Sequence, residues 1–343
     1  MSKKIAMITG VTGQDGSYLT EYLLKKNYTV IGCRRRSSSI QSSFRIDKFF
    51  LNSKKFKLRY LDLTDSSNIN SILKEFRPNE IYNLGAQSHV GVSFNQPEYT
   101  CNVNALGTLR ILEAIRLQKL EKITKFYQAS SSEMFGDCKT KPQNEQTRLD
   151  PDSPYGISKL FAYHIVKNYR KSFNIFASNG ILFNHESPLR GDFFVTKKIV
   201  KGLVEIANNK SKILYLGNLN SKRDWGHAKD YVKVMWKILQ QKKSDDFVIG
   251  SGKQYSIKDF IKKVGNKLNL KITFKGKGLN EYGEDQNNRK IIKVDKKFLR
   301  PSDVTNLLAD TRKAKKKLGW SVDINLNELI DEMIDHEKKF LMK

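Results

Sequence analysis

The segment TGVTGQDG constrains this chain more than any other. Gly10, Gly13 and Gly16 follow a short β-rich run, Ile5 to Thr9, and precede an amphipathic stretch in which Leu19, Leu23 and Leu24 recur at helical spacing. A strand that turns into a helix through glycines lets a pyrophosphate approach the helix N-terminus without Cβ interference. At the end of the second β-rich run, where an NAD site would carry an acid for the ribose hydroxyls, the chain reads Cys33, Arg34, Arg35, Arg36. Guanidinium groups cannot accept those hydrogen bonds but do suit a 2′-phosphate, so this departure points to NADP.

The rest of the first half repeats the same rhythm. Strands are predicted at Tyr28 to Cys33, Lys57 to Leu63, Glu80 to Gly85, Lys125 to Ser130 and Ile175 to Phe183, with helical segments between most of them. That is a Rossmann-type, doubly wound parallel α/β sheet. After Phe183 the pattern changes: helices are expected near 195–208, 228–240 and 256–268, mixed with short strands at 213–216 and 247–250. This implies an NADP-binding domain over 1–183 and a smaller mixed α/β domain over 184–343, with some chain exchange back to the first. Lys275 to Arg289 reads as an exposed loop and Leu326 to Leu341 as a closing helix. Arg34 to Ser43, RRRSSSIQSS, reads as a surface loop.

Composition narrows the setting. The chain has 343 residues, 28% of them charged, and no apolar run near the ~18 to 20 residues of a spanning helix, so no membrane association is expected. MSKKIAMITG has too short an apolar stretch for a secretory signal, and Cys33, Cys101 and Cys138 form no close pair, which suggests a reducing cytoplasm without a disulfide framework. The net charge of +27 invites a nucleic-acid reading, but the excess is spread over the whole chain, and an anionic small substrate fits it as well. The five histidines show no ligand spacing, and no metal is expected.

Candidate chemistry lies past the fifth run. Tyr155 and Lys159 form YxxxK on a predicted helix, where a spacing of four puts both side chains on one face and an ammonium near the phenol would favour phenolate. Ser131, upstream at the end of strand five, could hold a substrate hydroxyl beside the tyrosine. Together they describe hydride chemistry at a secondary alcohol. Asp62 and Leu63 would sit beside an adenine, and Leu84, Gly85 and Ala86 end strand four where the chain passes close to the cofactor.

This set resembles the extended short-chain dehydrogenase/reductase family. Within it, TGVTGQDGSYL, RYLDLTD, EIYNLGAQSHV, FYQASSSEMFG, SPYGISKLFAY, NGILFNHESPLRG and RDWGHAKDYV are similar to the GDP-mannose 4,6-dehydratases, from the N-terminus to about residue 310. The resemblance implies conversion of GDP-D-mannose to GDP-4-dehydro-6-deoxy-D-mannose and water, with the hydride moving from C4 to C6 through NADP. Glu133 separates this chemistry from that of a 4-epimerase or a 4-keto reductase, because water loss from C6 requires a base for the C5 proton. Two alternatives stay open: a GDP-D-glycero-D-manno-heptose 4,6-dehydratase and, with Glu133 against it, a GDP-4-keto-6-deoxy-mannose reductase.

Through the resemblance, Ser131, Glu133, Tyr155 and Lys159 become the catalytic set. Gly10, Thr12, Gly13, Gln14, Asp15, Gly16, Arg35, Asp62, Leu63, Leu84, Ala86, Ser88, Tyr99, Lys159, His185 and Arg190 match cofactor positions. Ser88, Glu133, Asn184, Lys198, Leu216, Gly217, Asn218, Arg223, Arg300 and Asp303 match GDP-sugar positions, Lys198 and Arg223 as cations for the diphosphate. Ser131 stands where the family usually has threonine, and Ser302 and Asp303 where it usually has alanine and glutamate; the shorter acid would reach the guanine edge less easily. The resemblance also implies a homo-tetramer, with a dimer as fallback, through the Arg34–Ser43 loop.

Overall fold

The computed structural model describes residues 4–36, 45–47, 49 and 53–341. Its main sheet has seven parallel strands. β1 (Ile5–Thr9) lies between β2 (Thr29–Arg34) and β4 (Glu80–Asn83); β3 (Phe56–Tyr60) flanks β2, and β5 (Lys125–Ser131), β6 (Ala177–Leu182) and Phe247–Ile249 continue beyond β4. The order reverses at β1, so the connections to β2 and β4 leave on opposite sides and open a crevice at the carboxyl ends of the strands. Both faces of the sheet are covered. Helix α1 (Gln14–Lys25) and the helix Ala228–Leu239 bury Leu19, Leu23, Met235 and Ile238 on one face, together with Trp320. Ile69, Leu73, Ile111, Ile115 and Val166, from helices Ser66–Phe76, Gly107–Leu117 and Pro154–Ser172, fill the other.

A separate core holds two small sheets to the helices Val195–Ala207, Ile257–Lys267 and Leu326–Leu341. Three strands, Gln254–Ser256, Lys222–His227 and Asn184–Glu186, make one sheet; Thr273–Lys275, Tyr282–Glu284, Lys290–Val294 and Leu214–Leu216 make the other. The closing helix turns Leu326, Leu329, Ile330, Met333 and Ile334 inward, as its sequence periodicity requires.

Several boundaries differ from the sequence reading. β3 stops at Tyr60 rather than Leu63, because Asp62 turns the chain by accepting from Thr64 N (2.9 Å) and Thr64 Oγ1 (2.8 Å). β4 stops at Asn83, and Gly85 N donates instead to Thr9 Oγ1 at 2.9 Å. The strand at 247–249 is the edge of the parallel sheet, beside β6, not part of the mixed sheets. Lys275 to Arg289 is not an exposed loop throughout: Tyr282–Glu284 is a strand, and Glu281, Glu284 and Asp285 are buried through ion pairs with Lys258, Lys275 and Arg289. Its polar composition hid the strand, because paired charges carry no hydrophobic period. Of the Arg34–Ser43 loop, residues 37–43 lie outside the described residues.

Candidate active site

A cleft of about 900 Å³ opens where the main sheet's carboxyl ends meet the two small sheets. At one end lies the glycine turn. Gly10 has φ +67°, and a Cβ there would stand 2.8 Å from the Gly85 backbone, so only glycine lets β1 and β4 close up at this point. Gly13 is the N-cap of α1 with no side-chain cap, and Gly13, Gln14, Asp15 and Gly16 line the cleft. Uncapped first-turn N–H groups beside a cavity fit a dinucleotide pyrophosphate.

This turn is tied to the second half of the chain. Gln14 donates to His185 O (3.1 Å) and accepts from Ser187 Oγ (2.7 Å), and Arg45 bridges Thr12 O and Leu189 O. His185 faces two acceptors, Phe183 O at 2.8 Å and Asp15 Oδ2 at 2.7 Å, and stacks on Tyr231. Burial is the largest effect and opposes its imidazolium, but the Asp15 charge, the Asp15 hydrogen bond and the Phe183 carbonyl together outweigh it and hold the histidine pKa above its ordinary value; Asp15 is correspondingly lowered despite its own burial. Arg190 pairs with Glu186 at 3.0 Å. Leu84, Ala86 and Ser88 line the cleft along the exit of β4. Thr12, Arg35, Asp62, Leu63 and Tyr99 do not line it; they gather around the exits of β1, β2 and β3, where Arg35 Nη1 donates to Tyr99 OH at 3.0 Å.

The middle of the cleft brings together the four candidate catalytic residues, Ser131, Glu133, Tyr155 and Lys159. β5 ends at Ser131, whose Oγ accepts from Glu133 N at 3.2 Å and caps the 3-10 turn Ser132–Phe135, placing Glu133 half-buried in the cleft. The helix Pro154–Ser172 starts on Pro154 with Ser153 as its cap, which sets Tyr155 in the first turn and Lys159 one turn later, both buried. Behind Tyr155, Ser158 Oγ donates to its carbonyl (2.7 Å) and accepts from Asn104 Nδ2 (3.0 Å). Lys159 Nζ donates to Ala129 O at 2.8 Å and lies 5.9 Å from the centre of the Tyr155 ring.

The electrostatics correct one expectation. Burial pushes Tyr155 up to about 12, with the Ser131 hydrogen bond pulling the other way, so the phenol is raised rather than lowered. Burial also brings Lys159 down to about 8. Glu133 is raised by burial, against the pull of Arg223 and Arg300.

The far end is cationic. Lys198 sits 3.2 Å over the Phe298 ring centre and is lowered to about 8 by burial and then by Lys297. Arg223 and Arg300 each approach Asp303 Oδ1 at 3.2 Å. Leu216, Gly217, Asn218 and Asn184 complete this end, and Asn184 Oδ1 is buried without a partner among the described residues. Ser221, Lys297, Phe298 and the half-exposed His89 also line the cleft and were not read from the sequence. For Lys297 and Phe298 a signal existed, since the run KKFLRP leads directly into Arg300. Among the described residues no cluster of three or more His, Cys, Asp or Glu is placed to hold a metal ion, and no helix is long and apolar enough to cross a membrane.

A glycine turn at the switch point, a serine ending β5 and a tyrosine–lysine pair one helical turn apart are together the architecture of an extended short-chain dehydrogenase/reductase. Comparison with known proteins narrows this further. The family model described as GDP-mannose 4,6 dehydratase matches residues 7–333, and the chain belongs to that family. A GDP-mannose 4,6-dehydratase of Vibrio cholerae is 51% identical, across 98% of this chain and 94% of its own length. Among solved structures, a dTDP-glucose 4,6-dehydratase from Bacillus anthracis in complex with NAD superposes with a TM-score of 0.79 at 20% identity, covering 98% of this chain and 97% of that one. RMD from Pseudomonas aeruginosa, solved with NADPH, gives 0.75 at 17%, covering 98% and 100%. At these identities the two structures establish the shared fold.

Proposed function

We propose that the protein is an NADP-dependent hydro-lyase that converts GDP-D-mannose to GDP-4-dehydro-6-deoxy-D-mannose and water. The observation that carries the reading is Glu133 in the same cleft as Ser131, Tyr155 and Lys159, because a second acid–base group beside the tyrosine is what a dehydratase needs and a reductase does not. Bound at the glycine turn, NADP would supply the hydride acceptor for C4 and the hydride donor for C6.

The protein's own residues handle the protons. Tyr155 takes the proton of the 4-hydroxyl, assisted by Ser131 through the hydrogen bond that opposes burial at the phenol. Once C4 is a ketone, the C5 proton is acidic and passes to the Glu133 carboxylate, which then protonates the departing hydroxyl of C6; as C6 is reduced, C5 is reprotonated and the proton held by Tyr155 is given back. A carboxyl raised by burial suits both tasks, since its proton affinity lies closer to neutrality than that of a free glutamate. Lys198, Arg223 and Arg300 face the opposite end of the cleft and suit the diphosphate of the GDP moiety.

Support for NADP over NAD comes from Arg34 at the end of β2 and Arg35 and Arg36 after it, where no acid stands to receive ribose hydroxyls, and from the Arg35–Tyr99 contact. In this reading residues 1–183 bind the cofactor and 184–343 mainly the sugar nucleotide, in a cytoplasmic homo-tetramer joined through Arg34–Ser43, with a dimer as fallback. The deciding experiment follows the mass of GDP-mannose incubated with the purified protein without reductant. Loss of one water with no net change in NADPH is expected; an unchanged mass would overturn the reading.

A further inference from the structure

Asp303 stands in the cleft where a guanine-reading acid was expected, but its oxygens are already engaged. Oδ1 receives Arg223 Nη2 and Arg300 Nη1, both at 3.2 Å, and Oδ2 receives Ser221 Oγ at 3.0 Å. Arg223 is fixed further by donating to Lys222 O at 3.0 Å, and it is only 7% exposed. One carboxylate therefore gathers two guanidinium groups and is itself anchored by a neighbouring hydroxyl. A carboxylate so occupied offers little to the edge of a base.

We propose that Asp303 is a positioning residue that holds Arg223 and Arg300 together and offsets their charge at Glu133, rather than a contact to the guanine. This rests on the assignment of Glu133 as the base for C5. The charged and titratable groups acting on Glu133 come from every element packed around it. Arg223 comes from the strand Lys222–His227, Arg300 and Asp303 from the segment after the 3-10 turn Lys296–Phe298, Asp152 from the turn before the helix Pro154–Ser172, and Tyr155 from that helix. The two arginines draw the Glu133 proton affinity down, and Asp303 works against them. Without Asp303 the base would face two uncompensated cations and become a weaker proton acceptor.

The inference and the guanine reading predict opposite results for Asp303→Asn. If Asp303 offsets charge, removing one negative group beside the diphosphate leaves GDP binding, measured by calorimetry, unchanged or tighter. The acidic limb of the kcat profile then moves down by roughly half a pH unit, and Asp303→Glu restores it. Arg300→Gln should move the same limb upward. A tenfold or greater loss of GDP affinity in Asp303→Asn with an unmoved limb would overturn the inference, as would a limb that responds to neither substitution. Should Asp303→Asn fail to fold, Asp303→Ser replaces it, read by the same GDP calorimetry and the same pH limb. Absence of GDP-mannose turnover in the unsubstituted protein would strike the proposed function and with it the charge offset at Glu133, whereas GDP binding to the Asp303→Asn protein would still separate the positioning role from a guanine contact.

Discussion

At the glycine-turn end of the cleft the chain presents main chain, an uncapped helix start and a glycine at φ +67°, held in place by the Gln14 and Asp15 side chains that tie the turn to residues 185 and 187. At the opposite end it presents side chains: Lys198 over Phe298, and two arginines sharing one aspartate. The difference is one of tolerance. Backbone groups in a tight turn have one workable geometry, so a single Cβ destroys the cradle. A cluster of flexible cations can exchange partners, and its effect is spread over several residues. The candidate catalytic residues between them depend on both, because Glu133 follows the end of β5 while burial raises its proton affinity against the pull of the cations opposite.

The contrast can be tested most severely in the middle. Glu133→Gln should cut product formation by about 10²–10⁴-fold, the usual worth of a positioned acid–base group, and oxidation at C4 should persist. Mass analysis of the sugar nucleotide and absorbance of the reduced nicotinamide separate the two steps, and normal product would remove Glu133 from its role. At the rigid end, Gly10→Ala should lower stability by about 1–3 kcal/mol, the scale of enforced strain in the left-handed region, and weaken cofactor binding with it. A thermal melt and a cofactor titration would read both, and a tolerated alanine would break the comparison.

Smaller effects sharpen it. Arg35→Ala should raise the Kd for NADP by about tenfold, the loss of one or two charge-assisted hydrogen bonds, and leave that for NAD nearly unchanged; equal losses for both would remove the 2′-phosphate assignment. For pH, Lys159 is lowered to about 8, so its ammonium is lost as pH rises through that value. The profile of kcat/KM should therefore fall above about pH 8, and at the other side fall below a Glu133 pKa that lies above an ordinary glutamate's. The smallest change expected is Ser131→Thr, which keeps the hydroxyl and should shift kcat by less than about threefold, whereas Ser131→Ala removes the hydrogen bond that opposes burial at Tyr155.

Much of the glycine-turn end was legible as structure because its information is local. Glycine spacing, the arginines after β2 and the YxxxK pair are each contained in one turn or one helix, and strand–helix alternation gives the sheet its parallel order. Local signals mislead where tertiary pairing decides. Lys275–Arg289 reads as a polar loop because each of its buried carboxylates finds a cation at least four residues distant. Phe247–Ile249 is too short to announce which sheet it joins.

The sequence by itself determined the parallel sheet, the glycine turn and which side chains are candidates for the chemistry, since these follow from period, spacing and chemical type. The tertiary structure decided their protonation and partners. Tyr155 is driven up rather than down because burial acts on every atom around it, and Asp303 spends its oxygens on Arg223, Arg300 and Ser221 because two segments some 80 residues apart meet there. Desolvation and long-range charge are properties of the space around a group, and one-dimensional spacing does not contain that space.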